Sequence, residues 1–187
     1  MPFNLKFMDE AGVNVSVGRR NYGHSLKGQR CIEISRHIGC NRNYTVNLLV
    51  GIDGTNFCRV LEGSSNGEEY VNFITEAAQS FNDDGTPVLK PGDILLVDNL
   101  CYHHYEGERL LRPFLTQHGV QYGFTPKRSP FFNPVEECFS QLKAALKTQE
   151  LADLLHRNVP LAAFLASQTI TNNNIVSYYR NTGVINI

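Results

Sequence analysis

Three acidic residues stand where a hard cation can be held. Asp9 closes the run NLKFM, Asp98 closes ILLV, and Glu136 lies about one turn into SPFFNPVEECFSQLK, residues 129–143. In an open α/β sheet the ligand crevice lies beyond the carboxyl ends of the parallel strands, so acids that end central strands and begin the next element meet there. If Asp9 and Asp98 end neighbouring strands, all three carboxylates approach within the ~10 Å that strand spacing allows. Crowded carboxylates repel one another, and burying them unpaired raises their pKa values or costs several kcal/mol. A cation relieves that cost, and carboxylate and water oxygens suit Mg²⁺. Two such ions sharing a carboxylate form the arrangement that cuts phosphodiesters, one acting on the attacking oxygen and one on the leaving oxygen.

Each acid also has a plainer use. Asp9 or Glu10 can serve an ordinary turn, and Asp98-Asn99 can start one. For Glu136 the plain use is a capping box: Asn133 suits the N-cap, Pro134 the first helical position and Glu136 the third, together worth ~1 kcal/mol without catalysis. Taken singly, each residue is best explained that way, and only their joint placement favours a site. Along the helix, Val135, Cys138, Phe139, Leu142 and Leu146 form an apolar stripe, with Glu136, Ser140, Lys143 and Lys147 beside it. Glu136 therefore borders the buried face, and Glu137 is expected to be solvated.

The elements that would position these acids can be read from period and punctuation. Phe3, Leu5 and Phe7 share one parity, predicting a first strand with acids at its carboxyl end. CIEISRHI (31–38), TVNLLVGI (45–52) and FCRVLEG (57–63) read as further strands, IDGTN being a hairpin turn between the last two. The chain thus opens as an antiparallel meander. A helix follows in SSNGEEYVNFITEAAQSF, with Val71, Ile74, Ala78 and Phe81 in helical register. ILLVDN (94–99), a helix over about 106–118 ended by Gly119, and VQYGF (120–124) make a βαβ unit with parallel strands. After the long helix come LADLLHR, a piece opened by Pro160, and a tail, TNNNIVSYYRNTG. The expected fold is a single α/β domain with a mixed sheet, its first strands antiparallel and its last parallel, flanked by helices. Its core covers about 3–147, and a helical extension covers about 148–187.

With 187 residues and 42% hydrophobic content, one core is expected. Seventeen basic and eighteen acidic residues leave a net charge of −1, which by itself argues for neither nucleic acid nor membrane. The distribution is uneven. Six cations against Glu33 lie between Arg19 and Arg42, whereas seven acids against Arg59 lie between Asp53 and Asp84. Five cysteines without a CxxC pair fit reduced thiols, with Cys58 and Cys138 as core residues. No apolar run reaches membrane-spanning length and the start lacks signal-peptide features, so a soluble intracellular protein is expected.

PKRSPFFNPVEECFSQLK resembles the signature PPYSPDLNPIENVWSxLK of the Tc/mariner superfamily of DDE transposases, and ILLVDNLCYH resembles their strand-ending DNxxxH. MDEAG, VGIDG and EGSSNGEEYVNFI match further family segments in the same order, so the resemblance spans about Leu5 to Lys147, with a weaker echo in SYYRNTG. It implies a ribonuclease H-like fold with Asp9, Asp98 and Glu136 as catalytic, metal-binding triad. It also implies two Mg²⁺ ions, with Mn²⁺ as substitute. Water would cleave a transposon end, and the freed 3′ hydroxyl would attack target DNA. The implied partners are transposon-end and target DNA and a second copy in a homodimer, with no membrane. The compartment is nuclear if the source is eukaryotic and otherwise cytoplasmic. Val135 replaces the usual isoleucine, and Phe131-Phe132 replace the pair before Asn-Pro. His103 falls at the family histidine and is expected to orient rather than react. Arg19, Arg20, Lys27, Arg30 and Lys143 are the candidate phosphate contacts. Full-length members also carry helix-turn-helix modules, and no such tri-helical segment is read here. The alternative reading is a domesticated or inactive transposase remnant that binds DNA or protein. A ribonuclease H-like nuclease acting on RNA is disfavoured by NPVEE.

Overall fold

A computed structural model describes residues 4–14, 24–31, 42–82, 84–98, 107–126 and 129–185. Among them, five strands form one sheet in the order β3-β2-β1-β4-β5. β1 (Leu5–Asn14), β2 (Asn43–Gly51) and β3 (Gly54–Glu62) are an antiparallel meander, turned between β2 and β3 by Ile52-Asp53. β4 (Ile94–Val97) lies parallel to β1, and β5 (Gln121–Phe124) parallel to β4. The expected strand over 31–38 falls almost wholly outside the described residues.

Side-chain alternation along the central strands sends residues into two cores, one on each face. Phe7, Ala11, Val46, Leu48 and Val50 pack with α3 (Pro134–Ala145), α5 (Val159–Ser167) and α6 (Asn172–Asn181). Met8, Leu49, Leu95 and Val97 pack instead with α1 (Gly67–Gln79) and α2 (Glu108–Gln117). The result is a mixed sheet with a layer of helices on each face.

α1 begins because the Asn66 side chain accepts from the Glu69 N–H at 2.9 Å, and it buries Tyr70, Phe73, Ile74, Ala77 and Ala78. Its buried stripe runs one residue away from Val71, which is only partly covered, and Phe81 lies past the helix end with 68% exposure. In α2, Leu111 and Leu115 are buried while Leu110 faces outward. Gly119 then reverses the chain with φ +72°.

Residues 171–183, the tail of the expected helical extension, contain a helix, α6. Thr171 and Asn174 form a reciprocal capping box, and Ile175 and Tyr179, four residues apart, enter the core. The Tyr179 hydroxyl donates to the Leu5 carbonyl at 2.8 Å, and its ring meets Phe7 edge-on at 5.5 Å. This helix is thereby fastened to the start of β1. α4 (Gln149–Leu155) joins α3 to α5. Cys31, Cys58 and Cys138 are free thiols, Cys138 buried and Cys58 half-buried, while Cys40 and Cys101 lie outside the described residues. No helix among the described residues is long and apolar enough to cross a membrane.

Candidate active site

Strand register places the two aspartates. β1 and β4 pair in parallel from Leu5↔Ile94 to Met8↔Val97, so Asp9 and Asp98 are the next residues on adjacent strands. Asp9 is not at the end of its strand, however, because antiparallel pairing with β2 carries β1 on to Asn14. It stands where the parallel partner stops, which opens one side of the strand. Asp9 shares the parity of Phe7 and Ala11, and Asp98 that of Leu96, all of which face the core containing α3. Both carboxylates therefore project toward the face on which α3 docks.

The start of α3 is tied to Asp9 directly. Asn133, 4% exposed, accepts from the Val135 N–H at 3.2 Å through Oδ1, and its Nδ2 donates to Asp9 Oδ2 at 2.8 Å. Asp9 Oδ1 accepts the Glu10 N–H at 2.8 Å. Each Asp9 oxygen keeps acceptor capacity beyond these bonds, as a metal ligand requires. The sequence identified Asn133 as a cap but not as the residue that orients an acid. One amide can do both because its two ends point in different directions.

Glu136 is exposed in the first turn of α3. The capping-box use expected for it is not made: the Asn133 backbone N–H, which that box would engage, donates to the Pro130 carbonyl at 2.9 Å. Glu137 is the correction on the other side. It is half-buried rather than solvated and accepts from Asn181 Nδ2 at 3.0 Å, joining α3 to α6.

The electrostatics of Asp9 report the same convergence. Burial, followed by the negative charges of Glu136, Asp98 and Glu10, pushes its pKa up to about 7, opposed by the hydrogen bond from the Glu10 N–H. Glu10 itself leaves the opposite face of β1 and accepts from Ser65 Oγ at 2.7 Å. Among the described residues no three His, Cys, Asp or Glu side chains are already gathered tightly enough to hold a metal ion. The aspartates are set by the sheet, whereas the exposed Glu136 has room to turn. An all-oxygen set with crowded negative charge fits a hard divalent ion.

Two predictions follow from this geometry. Asn133→Ala lowers stability by about 1 kcal/mol through the lost cap. Asn133→Asp keeps the cap but replaces the donor to Asp9 with a charge, so it perturbs the site more and the fold less; thermal melts beside divalent-ion titrations separate the two. For pH, a folded-state pKa raised above the usual 3.8 means that the folded protein holds the extra proton. The Asp9 contribution to stability is thus full at low pH and is lost as pH rises toward 7. Melts in EDTA should show this decline in the wild type and lose it in Asp9→Asn.

The remaining candidates are less gathered. Lys143 is half-buried on α3, about two turns past Glu136, and Lys27 and Arg30 are exposed in residues 24–31. Arg19, Arg20 and His103 lie outside the described residues.

Residues 4–155 match the family model described as DDE superfamily endonuclease. No curated protein sequence gave a significant match. Among solved structures, the Mos1 mariner paired end complex with Mn aligns at TM-score 0.61 and 14% identity, over 98% of this chain and 56% of that one. The Mos1 strand transfer complex aligns at 0.60 and 13%, over 94% and 54%. The catalytic domain of Mos1 mariner transposase aligns at 0.51 and 11%, over 99% and 85%. The chain spans about half the length of the chains in the two complexes, 54% of that in the strand transfer complex, and at these identities the likeness establishes the ribonuclease H-like fold. The family match, covering most of the sequence, establishes more: the chain belongs to the DDE superfamily endonucleases.

Proposed function

We propose that the chain is a transposase catalytic domain that cleaves DNA phosphodiesters at transposon ends and transfers the resulting 3′ hydroxyl to target DNA. Asp9, Asp98 and Glu136 serve as the catalytic, metal-holding triad. The observation that carries this reading is the placement of Asp9 and Asp98 beside each other on parallel strands, facing the helix whose cap residue holds Asp9. Mg²⁺, or Mn²⁺ in its place, would supply charge neutralisation and Lewis acidity toward the phosphodiester. The protein's own part is positional. Strand pairing sets the two aspartates, and Asn133 fixes the rotation of Asp9. Lys143, with Arg19, Arg20, Lys27 and Arg30, would contact phosphates, setting register on the duplex without reading bases. DNA as partner and a homodimeric assembly are supported by the paired-end and strand-transfer complexes of the Mos1 relatives.

The test is nicking of supercoiled DNA by the purified chain. Wild type should nick with Mg²⁺ or Mn²⁺ and stop in EDTA. Asp98→Asn should lose about 10²-fold or more, the worth of several kcal/mol of transition-state stabilisation. Equal nicking by both proteins, or none by a folded wild type, overturns the proposal; DNA binding without cleavage would leave a binding module.

A further inference from the structure

Phe131 and Phe132 are 64% and 45% exposed and belong to neither apolar core. They sit in a single 3₁₀ turn, Pro130–Phe132, closed by Phe132 N–H to Ser129 O at 3.1 Å and Asn133 N–H to Pro130 O at 2.9 Å. Their ring centroids are 4.6 Å apart and the planes are tilted by 51°, so the rings support each other without covering each other's faces. The next residue is Asn133, whose side chain holds Asp9 at 2.8 Å. The rings therefore belong to the short turn that leads directly into the residue holding Asp9.

We infer that Phe131 and Phe132 form a stacking platform for an unpaired DNA base adjoining the scissile phosphate, an inference that rests on the reading of the carboxylates as a DNA-cleaving site. A solvent-facing aromatic pair offers a π-face that any base can use, without sequence preference. In an intact duplex those faces are covered by neighbouring base pairs, so a base reaches the rings only when unpaired. The site therefore favours ends that are frayed, mismatched or single-stranded at the cut.

The test measures binding, with no cleavage step. Oligonucleotides carrying 2-aminopurine at the cut position, fully paired or in a short single-stranded end, are titrated with the full chain in Ca²⁺. Wild type should quench the probe in the unpaired substrate and bind it about tenfold or more tightly than the paired one. Phe131→Ala/Phe132→Ala should lose both effects with an unchanged melting temperature, and Phe131→Tyr/Phe132→Trp should restore them. Retention of quench and preference by the double alanine variant overturns the platform. So does a change of oligomeric state in that variant with both effects intact, which would make the rings a contact with a second copy. Failure of the cleavage reading shows separately, as equal nicking by wild type and Asp98→Asn.

Discussion

Glu136→Gln should lower metal-dependent nicking by about 10²–10³-fold, whereas Glu137→Gln should leave it within about twofold. The two residues are adjacent and chemically identical, so the contrast isolates position. Glu136 is exposed in the first turn of α3, and its charge bears on Asp9. Removing its charge deletes one anionic oxygen from the proposed metal set, and no other described bond of the fold is lost. Glu137 holds Asn181 across the α3–α6 contact. A glutamine there still offers an acceptor, so its cost is confined to stability and stays below about 1 kcal/mol. Nicking rates and melts on both variants check the pair.

A second large effect lies at the far end of β1. Lys6 is buried, its side chain 1% exposed, and its Nζ donates to Asp53 Oδ1 at 2.6 Å and Asn56 Oδ1 at 2.8 Å. Gly51, paired with Lys6 across the sheet, leaves it room; a Cβ there would collide with Lys6 Nζ and Asp53 Oδ1. Burial of Asp53 would raise its pKa, yet the Lys6 hydrogen bond and charge, aided by Asn56, hold it below the usual carboxylate range. Asp53→Asn strands the Lys6 charge. Because the Asp53 side chain is 38% exposed, solvent screens part of the loss, and about 2–3 kcal/mol is expected. That corresponds to a fall of about 4–12 °C in Tm. Adding Lys6→Met should restore most of it, since the costly species is the unpaired buried charge rather than the missing pair. The sign with pH is opposite to that of Asp9. The lowered folded pKa of Asp53 makes its contribution present above the unfolded value near 3.8 and lost as pH falls through the folded value.

Lys6 also marks where the sequence was opaque. In a strand of alternating parity, a lysine between Leu5 and Phe7 reads as solvent-facing, and its burial depends on Asp53 and Asn56, 47 and 50 residues away. Long-range pairing likewise hid the length of β1: parity ended at the acids, while β2 extends the strand to Asn14. The α6 helix was masked by its three consecutive asparagines, since its stability comes from Ile175 and Tyr179 reaching the core rather than from propensity. What was legible had local causes. A continuous apolar run between Pro91-Gly92 and Asp98 reports a short central strand, and Asn133-Pro134 reports a helix start. Those two elements carry two of the three acids. The elements bearing Asp98 and Glu136 were therefore readable from local pattern, whereas the contacts of Asn133 and Glu137 reach 124 and 44 residues away in the chain.

The most direct measurement is anomalous scattering from crystals soaked in Mn²⁺. The account predicts a peak with carboxylate oxygens of Asp9, Asp98 and Glu136 at about 2.1–2.2 Å, the Glu136 side chain turned inward, and loss of the peak in Asp98→Asn. A peak elsewhere, or a saturated crystal in which Glu136 stays away from both aspartates, would contradict it.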